Sequence, residues 1–382
     1  MSKRPAWPFV LAVSTSLAIL AVMEIRAHAD GVYEPLGVLT EVLRDIETQY
    51  VEEVPQPRLV HNAVVGMLDA LDGDSELIDP QRVRGAQGKD ADVGLVITRR
   101  HDTLTVVAPL DDTPSQRAGL AAGDTILKID GLDAKTMERS AAAERLRGKA
   151  ATTVTLTIMR QGWDDPRVLT LIREPAVGPS VTSRDLGDGI TYLRVHRFAA
   201  STGDELGAVL STAPARGLLL DLRNDPGGSA SDAVDLVQRF LEPGRLIVYR
   251  EGRRPESRRE FYGSSPGPRL GVPMVVLVNE GSAAAAEMAA GALQDWRRAV
   301  IVGARTFGEA SAQSVISLPE GPAVRLTTAR YFTPRQHMID GHGITPDIEV
   351  APRTGVDAQF QRALEVLKIA QVITAVHRSQ AR

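Results

Sequence analysis

The chain has 382 residues and no cysteine. Disulfides, thiolate catalysis and Cys-ligated metals are therefore excluded, and so is a lipid anchor on an N-terminal cysteine. An excess of charge is also missing. The formal net charge is −4, mildly acidic, which gives no electrostatic reason to expect a nucleic-acid partner. The acidic cluster Asp72-Gly73-Asp74-Ser75 lacks the spaced ligands of a calcium loop and reads as a turn that ends a helix. No metal and no cofactor is expected.

What is present starts with a targeting segment. Lys3 and Arg4 form a basic start, Phe9 to Met23 is apolar, and Ala27-His28-Ala29 offers a small-x-small cleavage site. The apolar run is short for a membrane span. Residues 1–29 are expected to be a signal peptide or membrane anchor, which puts the body of the protein outside the cytoplasm, in the periplasm or secreted.

The fold class expected is multidomain α/β. Residues 30–85 read as helical, because Leu36, Leu39, Leu43, Ile46 and Tyr50 share one helical face. A second helix carries Val60, Val64, Met67, Leu68 and Leu71. From residue 90 to 174 short strands follow one another, broken by a short helix near Ala141–Leu146. Residues 180–352 read as a mixed α/β core. In it the apolar run Gly217-Leu-Leu-Leu-Asp-Leu222 feeds the turn Pro226-Gly227-Gly228 and then a helix, an order that implies right-handed β-α-β crossovers. Residues 353–382 form a closing helix and tail.

The most informative stretch is Val272 to Gln313. Pro273 to Asn279 is a buried strand, Gly281-Ser282 a tight exit, and Ala283 to Leu293 a helix. A strand turning through small residues into a helix leaves free N–H groups at the helix start, where an oxyanion can be held. The stretch closely resembles the carboxyl-terminal processing peptidases, PDZ-containing Ser/Lys peptidases. Their turn reads S-A-S-A-S-E with the middle Ser as nucleophile, and a later T-F-G-K-G-x-x-Q supplies a Lys base and a Gln that orients it. Here the segments are Ser282-Ala283-Ala284-Ala285-Ala286-Glu287 and Thr306-Phe307-Gly308-Glu309-Ala310-Ser311-Ala312-Gln313. The resemblance thus puts Ala284 in the nucleophile's position and Glu309 in the base's, and it retains Gln313 and Glu287. It also implies oxyanion donors on the backbone of Gly227 or Gly228 and of Ala285.

The segment Ala118-Gly-Leu-Ala-Ala-Gly-Asp-Thr-Ile-Leu-Lys-Ile-Asp-Gly131 resembles a PDZ domain. Such domains add an extended peptide to a sheet edge and hold its terminal carboxylate in a nest of N–H groups. The matching loop is Val93-Gly94-Leu95, and Leu95 and Ile97 are candidate pocket residues.

A methyl group cannot attack a carbonyl, and loss of a catalytic serine costs on the order of a million-fold in turnover. A carboxyl at 309 brings negative charge to a site that must stabilise an oxyanion. The reading that follows is a non-catalytic homologue that binds C-terminal tails of envelope proteins or regulates an active peptidase or adaptor. A homodimer through the N-terminal helices is expected from the resemblance. The competing reading is an active serine-type endopeptidase that cuts near C-termini, with Ser282 as substitute nucleophile. Ser282, two residues from the expected position, reads more simply as a helix N-cap.

Overall fold

The computed structural model describes residues 35–78, 91–100, 103–175, 178–199, 201–212, 216–264, 271–319, 322–353 and 355–380. The expected leader lies outside them. No helix among the described residues is long and apolar enough to cross a membrane. The chain divides into two compact units, residues 1–67 and 68–382.

In the first unit a helix over residues 35–49 (α1) is followed by a second that starts after Pro55, α2 (Gln56–Asp69). Leu36, Leu39, Val60 and Met67 are exposed along these helices, and Tyr50 is exposed just after the first.

The second unit opens with a short strand, β1 (Glu76–Ile78). The PDZ-like part then runs β2 (Leu95–Arg100), β3 (Thr103–Pro109), α3 (Pro114–Arg117), β4 (Thr125–Ile129), β5 (Leu132–Asp133), α4 (Arg139–Leu146), β6 (Thr153–Met159) and β7 (Arg167–Ile172). Its sheet has the order β2-β3-β4-β6-β7, with β5 beside β4, and its ladders are antiparallel. Alternation makes the core: Val154, Leu156 and Ile158 of β6 are buried, while Thr153 stands exposed on the other face. Strand β2 stands at the edge of this sheet.

The larger part contains β8 (Val181–Asp185), β9 (Ile190–Val195), α5 (Thr202–Thr212), β10 (Gly217–Asp221), α6 (Ala230–Val237), β11 (Leu246–Glu251), β12 (Arg259–Tyr262), β13 (Met274–Val278), α7 (Ala285–Asp295), β14 (Val300–Gly303), β15 (Ser311–Ser317), β16 (Ala323–Phe332), β17 (Ile348–Glu349) and α8 (Ala358–Gln380). Its main sheet has the order β17-β14-β13-β10-β9-β8. All neighbours pair in parallel except β8 with β9. The central strands β10 and β13 are buried along their whole length, as a sheet covered by helices on both faces requires. Leu218 and Leu220 pack with α5, α6 and α7, while Leu219 packs with α8. A second sheet, β1-β16-β11-β12 with β15 on β16, lies beside it. The carboxyl ends of β10 and β13 carry the two turns on which the site is built.

Candidate active site

The apolar run of β13 ends at Val278, and the chain turns through Asn279 to Ala283 into α7. Ala284 is the N-cap of that helix, with φ 45° and ψ −111°. A residue with a Cβ rarely adopts such a backbone, and it costs of order 1–3 kcal/mol. Side-chain to backbone bonds hold it in place. Glu287, fully buried, accepts from the Ala284 N–H at 3.1 Å and the Glu309 N–H at 2.9 Å through Oε2. Its Oε1 accepts from Thr306 Oγ1 at 2.5 Å and the Gly308 N–H at 2.6 Å. The Ala284 N–H also reaches the Glu309 carbonyl at 3.1 Å. One carboxyl therefore ties the elbow to the loop that follows β14. Burial pushes that carboxyl up to about 7.

The turn after β10 lies against the elbow. Gly227 has φ 82°, and a Cβ there would lie 2.6 Å from both the Ala284 Cβ and the Ala285 nitrogen. Only glycine permits that approach. The N–H groups of Gly228 and Ala285 have no hydrogen-bond partner among the described residues. The Gly227 N–H is taken by Asp225 Oδ1 at 2.9 Å, which leaves Gly228 as the free donor on this turn. Buried Asp225 also accepts the Ala283 N–H on its carbonyl at 2.9 Å, and its Oδ2 has no partner. Burial pushes its carboxyl up to about 7. The Gly228 N–H, on the turn that touches Ala284, and the Ala285 N–H are therefore both left without a partner among the described residues.

Glu309 follows Gly308 on the same loop. Its Oε1 accepts from Thr98 Oγ1 of β2 at 3.0 Å. Arg100, two residues along β2, donates to the carbonyls of Phe307 at 2.7 Å and Gly308 at 3.0 Å. Its guanidinium stands 4.0 Å from the centre of the Phe307 ring. Val96 of β2 packs with Val107, Ala283 and Phe307. One face of β2 (Val96, Thr98, Arg100) is thus docked on the loop of the base position. Burial pushes the Glu309 carboxyl up to about 8, and the Asp74 carboxylate adds to the rise. A buried carboxyl whose titration is pushed upward takes the place of a neutral amine.

Ser282 is fully buried. Its hydroxyl donates to the Leu222 carbonyl at 2.7 Å and accepts from the Asn279 N–H at 3.0 Å. It pins the β13 turn to the β10 turn. It is not the N-cap of α7, a position that Ala284 holds. Gln313 donates to Ser311 Oγ at 2.6 Å, and Ser311 donates in turn to Asp74 Oδ2 at 2.7 Å. The Gln313 amide thus bonds along its own strand, while the Glu309 carboxyl meets Thr98.

In the PDZ-like part Gly94 has φ 68°. Its N–H goes to Asp92 Oδ1 at 2.6 Å, and its carbonyl accepts the Leu110 N–H at 2.8 Å. Val93 and Ile97 are buried in the domain core, with Leu95 packed against it. Sequence reasoning missed Thr98, Arg100 and Asp74. Asp74 stood in plain view as part of a turn, but nothing in its local pattern places it near residue 309.

Comparison with known proteins agrees with this architecture. A PDZ domain profile matches residues 91–168, and the profile of Peptidase family S41 matches residues 189–350. The carboxy-terminal-processing protease of Bartonella bacilliformis is 37% identical over 349 residues, 88% of this chain and 80% of that protein. The chain belongs to the carboxyl-terminal processing protease family. A second member, from Synechocystis, is 36% identical over 330 residues, 80% of this chain and 76% of its own. Among solved structures, the photosystem II D1 C-terminal processing protease superposes with a TM-score of 0.71 at 29% identity, covering 85% of this chain and 90% of that one. A carboxyl-terminal processing fold with a PDZ domain, N-terminal helices and an S41 core is thus present. Within it, this member carries Ala284 and Glu309 at the positions where the resemblance puts a Ser and a Lys.

Proposed function

We propose that this chain is a non-catalytic member of its family that binds the C-terminal tails of proteins outside the cytoplasm, alone or beside an active peptidase partner. The observation that carries the proposal is the pairing of the strained Ala284 elbow with a Glu309 carboxyl bonded to Thr98. Residue 284 has no hydroxyl, and residue 309 offers a carboxyl in place of an amine. Ser282 does not replace it, since its Oγ is buried and bonded on both sides of the turn. Tail capture is supported by the edge position of β2 and by the Gly94 loop at its start.

The experiment is an assay of the purified chain with an unfolded protein that ends in an apolar tail. Binding that requires the free carboxylate, with no new fragments, supports the proposal. Turnover that disappears in Ser282→Ala would replace it with the second reading, a serine-type endopeptidase. That reading is favoured by one specific feature, the free N–H groups of Gly228 and Ala285 beside the elbow.

A further inference from the structure

The segment that joins α2 to β1 touches the end of β2 and the start of α4. Gly73 stacks on the backbone of Arg99, and a Cβ at 73 would overlap the Arg99 carbonyl oxygen. Asp74 Oδ1 stands 3.3 Å from Arg139 at the start of α4. Glu76 Oε2 accepts from the Ser140 N–H at 3.1 Å. The segment therefore spans the gap between β2 and α4 at the end remote from Gly94. Its other anchors are in the core: Ser311 donates to Asp74 Oδ2, and Arg325 pairs with Glu76 Oε1 at 2.5 Å. The Glu76–Arg325 register of β1 on β16 fixes its height. The Arg99 guanidinium closes the same end by donating to the carbonyls of Met137 at 2.9 Å and Lys135 at 2.8 Å.

We infer that residues Gly73–Glu76 are a built-in stop across the far end of the PDZ groove, which competes with the upstream residues of a bound tail for the edge of β2. The inference rests on the tail-binding reading above. A peptide that adds to a strand edge uses main-chain acceptors such as the Arg99 carbonyl, and the Gly73 backbone occupies that approach. Paired one residue to one from Leu95 to Thr98, the open part of the edge takes about four tail residues. The chain is built to read a short terminus and to reject what lies upstream until the stop lifts. Glycine is required because a methyl group at 73 has no room above Arg99.

The test compares two fluorescent peptides on the whole protein. One has four residues, three of them apolar, and a free carboxylate, and the other has ten residues and ends in the same four. The native chain binds both alike. In Gly73→Ala the longer peptide gains about tenfold, as a freed strand edge adds main-chain bonds, while the short one is unchanged. Asp74→Asn, which weakens the tie to Arg139, shifts the ratio in the same direction by a smaller factor. A native chain that already binds the long peptide tenfold more tightly, or variants that leave the ratio at one, overturns the stop. If neither peptide binds, the tail reading fails and takes the stop with it, whereas binding of both peptides with the ratio left at one in the variants overturns the stop alone.

Discussion

Thr98 on the edge strand of the PDZ-like domain donates to the Glu309 carboxyl at 3.0 Å, so the residue in the base's position is bonded to β2. The bond joins two parts that lie 211 residues apart in the chain. It also lowers a carboxyl that burial and Asp74 together raise. Thr98→Val is therefore expected to move the Glu309 titration above about 8. Carboxyl-carbon NMR on selectively labelled protein reads the shift, and an unmoved or lower midpoint would contradict the assignment.

Reversion needs both members of the pair. Ala284 already holds the backbone conformation of the elbow, so Ala284→Ser should fold with little change in stability. Alone it should not turn over a tail-bearing substrate, because Glu309 is a carboxyl bonded to Thr98 and the amine of the family's dyad is missing from that position. Together with Glu309→Lys it should gain measurable cleavage, by up to the million-fold that loss of a catalytic serine removes. Turnover by the single variant would show that Glu309 serves as the base.

Glu287 satisfies four donors in a site without water access. Glu287→Ala leaves the N–H groups of Gly308 and Glu309 and the Thr306 hydroxyl without this partner, and should cost about 3 kcal/mol or more in urea unfolding. Glu287→Gln keeps the shape but brings two N–H donors against N–H groups, so it should recover only part of the loss. Full stability in the alanine variant would mean that the elbow is held some other way.

Stability should fall as pH rises from 5 to about 8.5. Asp225 and Glu287 are raised to about 7 and Glu309 to about 8, chiefly by burial. The folded chain keeps these protons at a pH where the unfolded chain, with carboxyls near 4, has released them. Their contribution is complete below about 4 and is lost as pH climbs through 7 and 8. Carboxyls that are lowered in the fold, such as Asp111 and Asp221, have already made their contribution below this window. Denaturant midpoints across the range should show the decline, and Glu309→Gln should flatten its upper end. A rising midpoint would contradict the burial argument.

Much of this was legible in the sequence because it is local. The strand of β13, the turn and the helix α7 appear in the order of their apolar and small residues. The family motifs mark Ala284 and Glu309 one by one. The alternation of β6 and the continuous apolar run of β10 announce which sheet face is covered. What stayed hidden depends on pairing between distant segments. The docking of Thr98 and Arg100 on residues 307–309 has no local period, because both side chains look like ordinary polar residues on the outer face of a strand. Ser282 looks like a helix cap, and only the neighbouring Leu222 carbonyl gives its hydroxyl a different role. Gln313 stands where the motif has its Gln, but its bond to Ser311 depends on a hydroxyl that the motif does not mark. Gly94 reads as a strand start. In the fold it stands so near Thr113 that any Cβ would overlap that side chain, so a substitution there disturbs the loop along with any ligand.

The central claim is that the native chain forms no acyl-enzyme. The most direct measurement is intact-mass spectrometry after incubation with a fluorophosphonate that acylation-competent serines attack, with the Ala284→Ser/Glu309→Lys variant alongside. The native mass should stay unchanged while the double variant gains one adduct at residue 284. An adduct on the native chain, at Ser282 or any other serine of the site, would contradict the account.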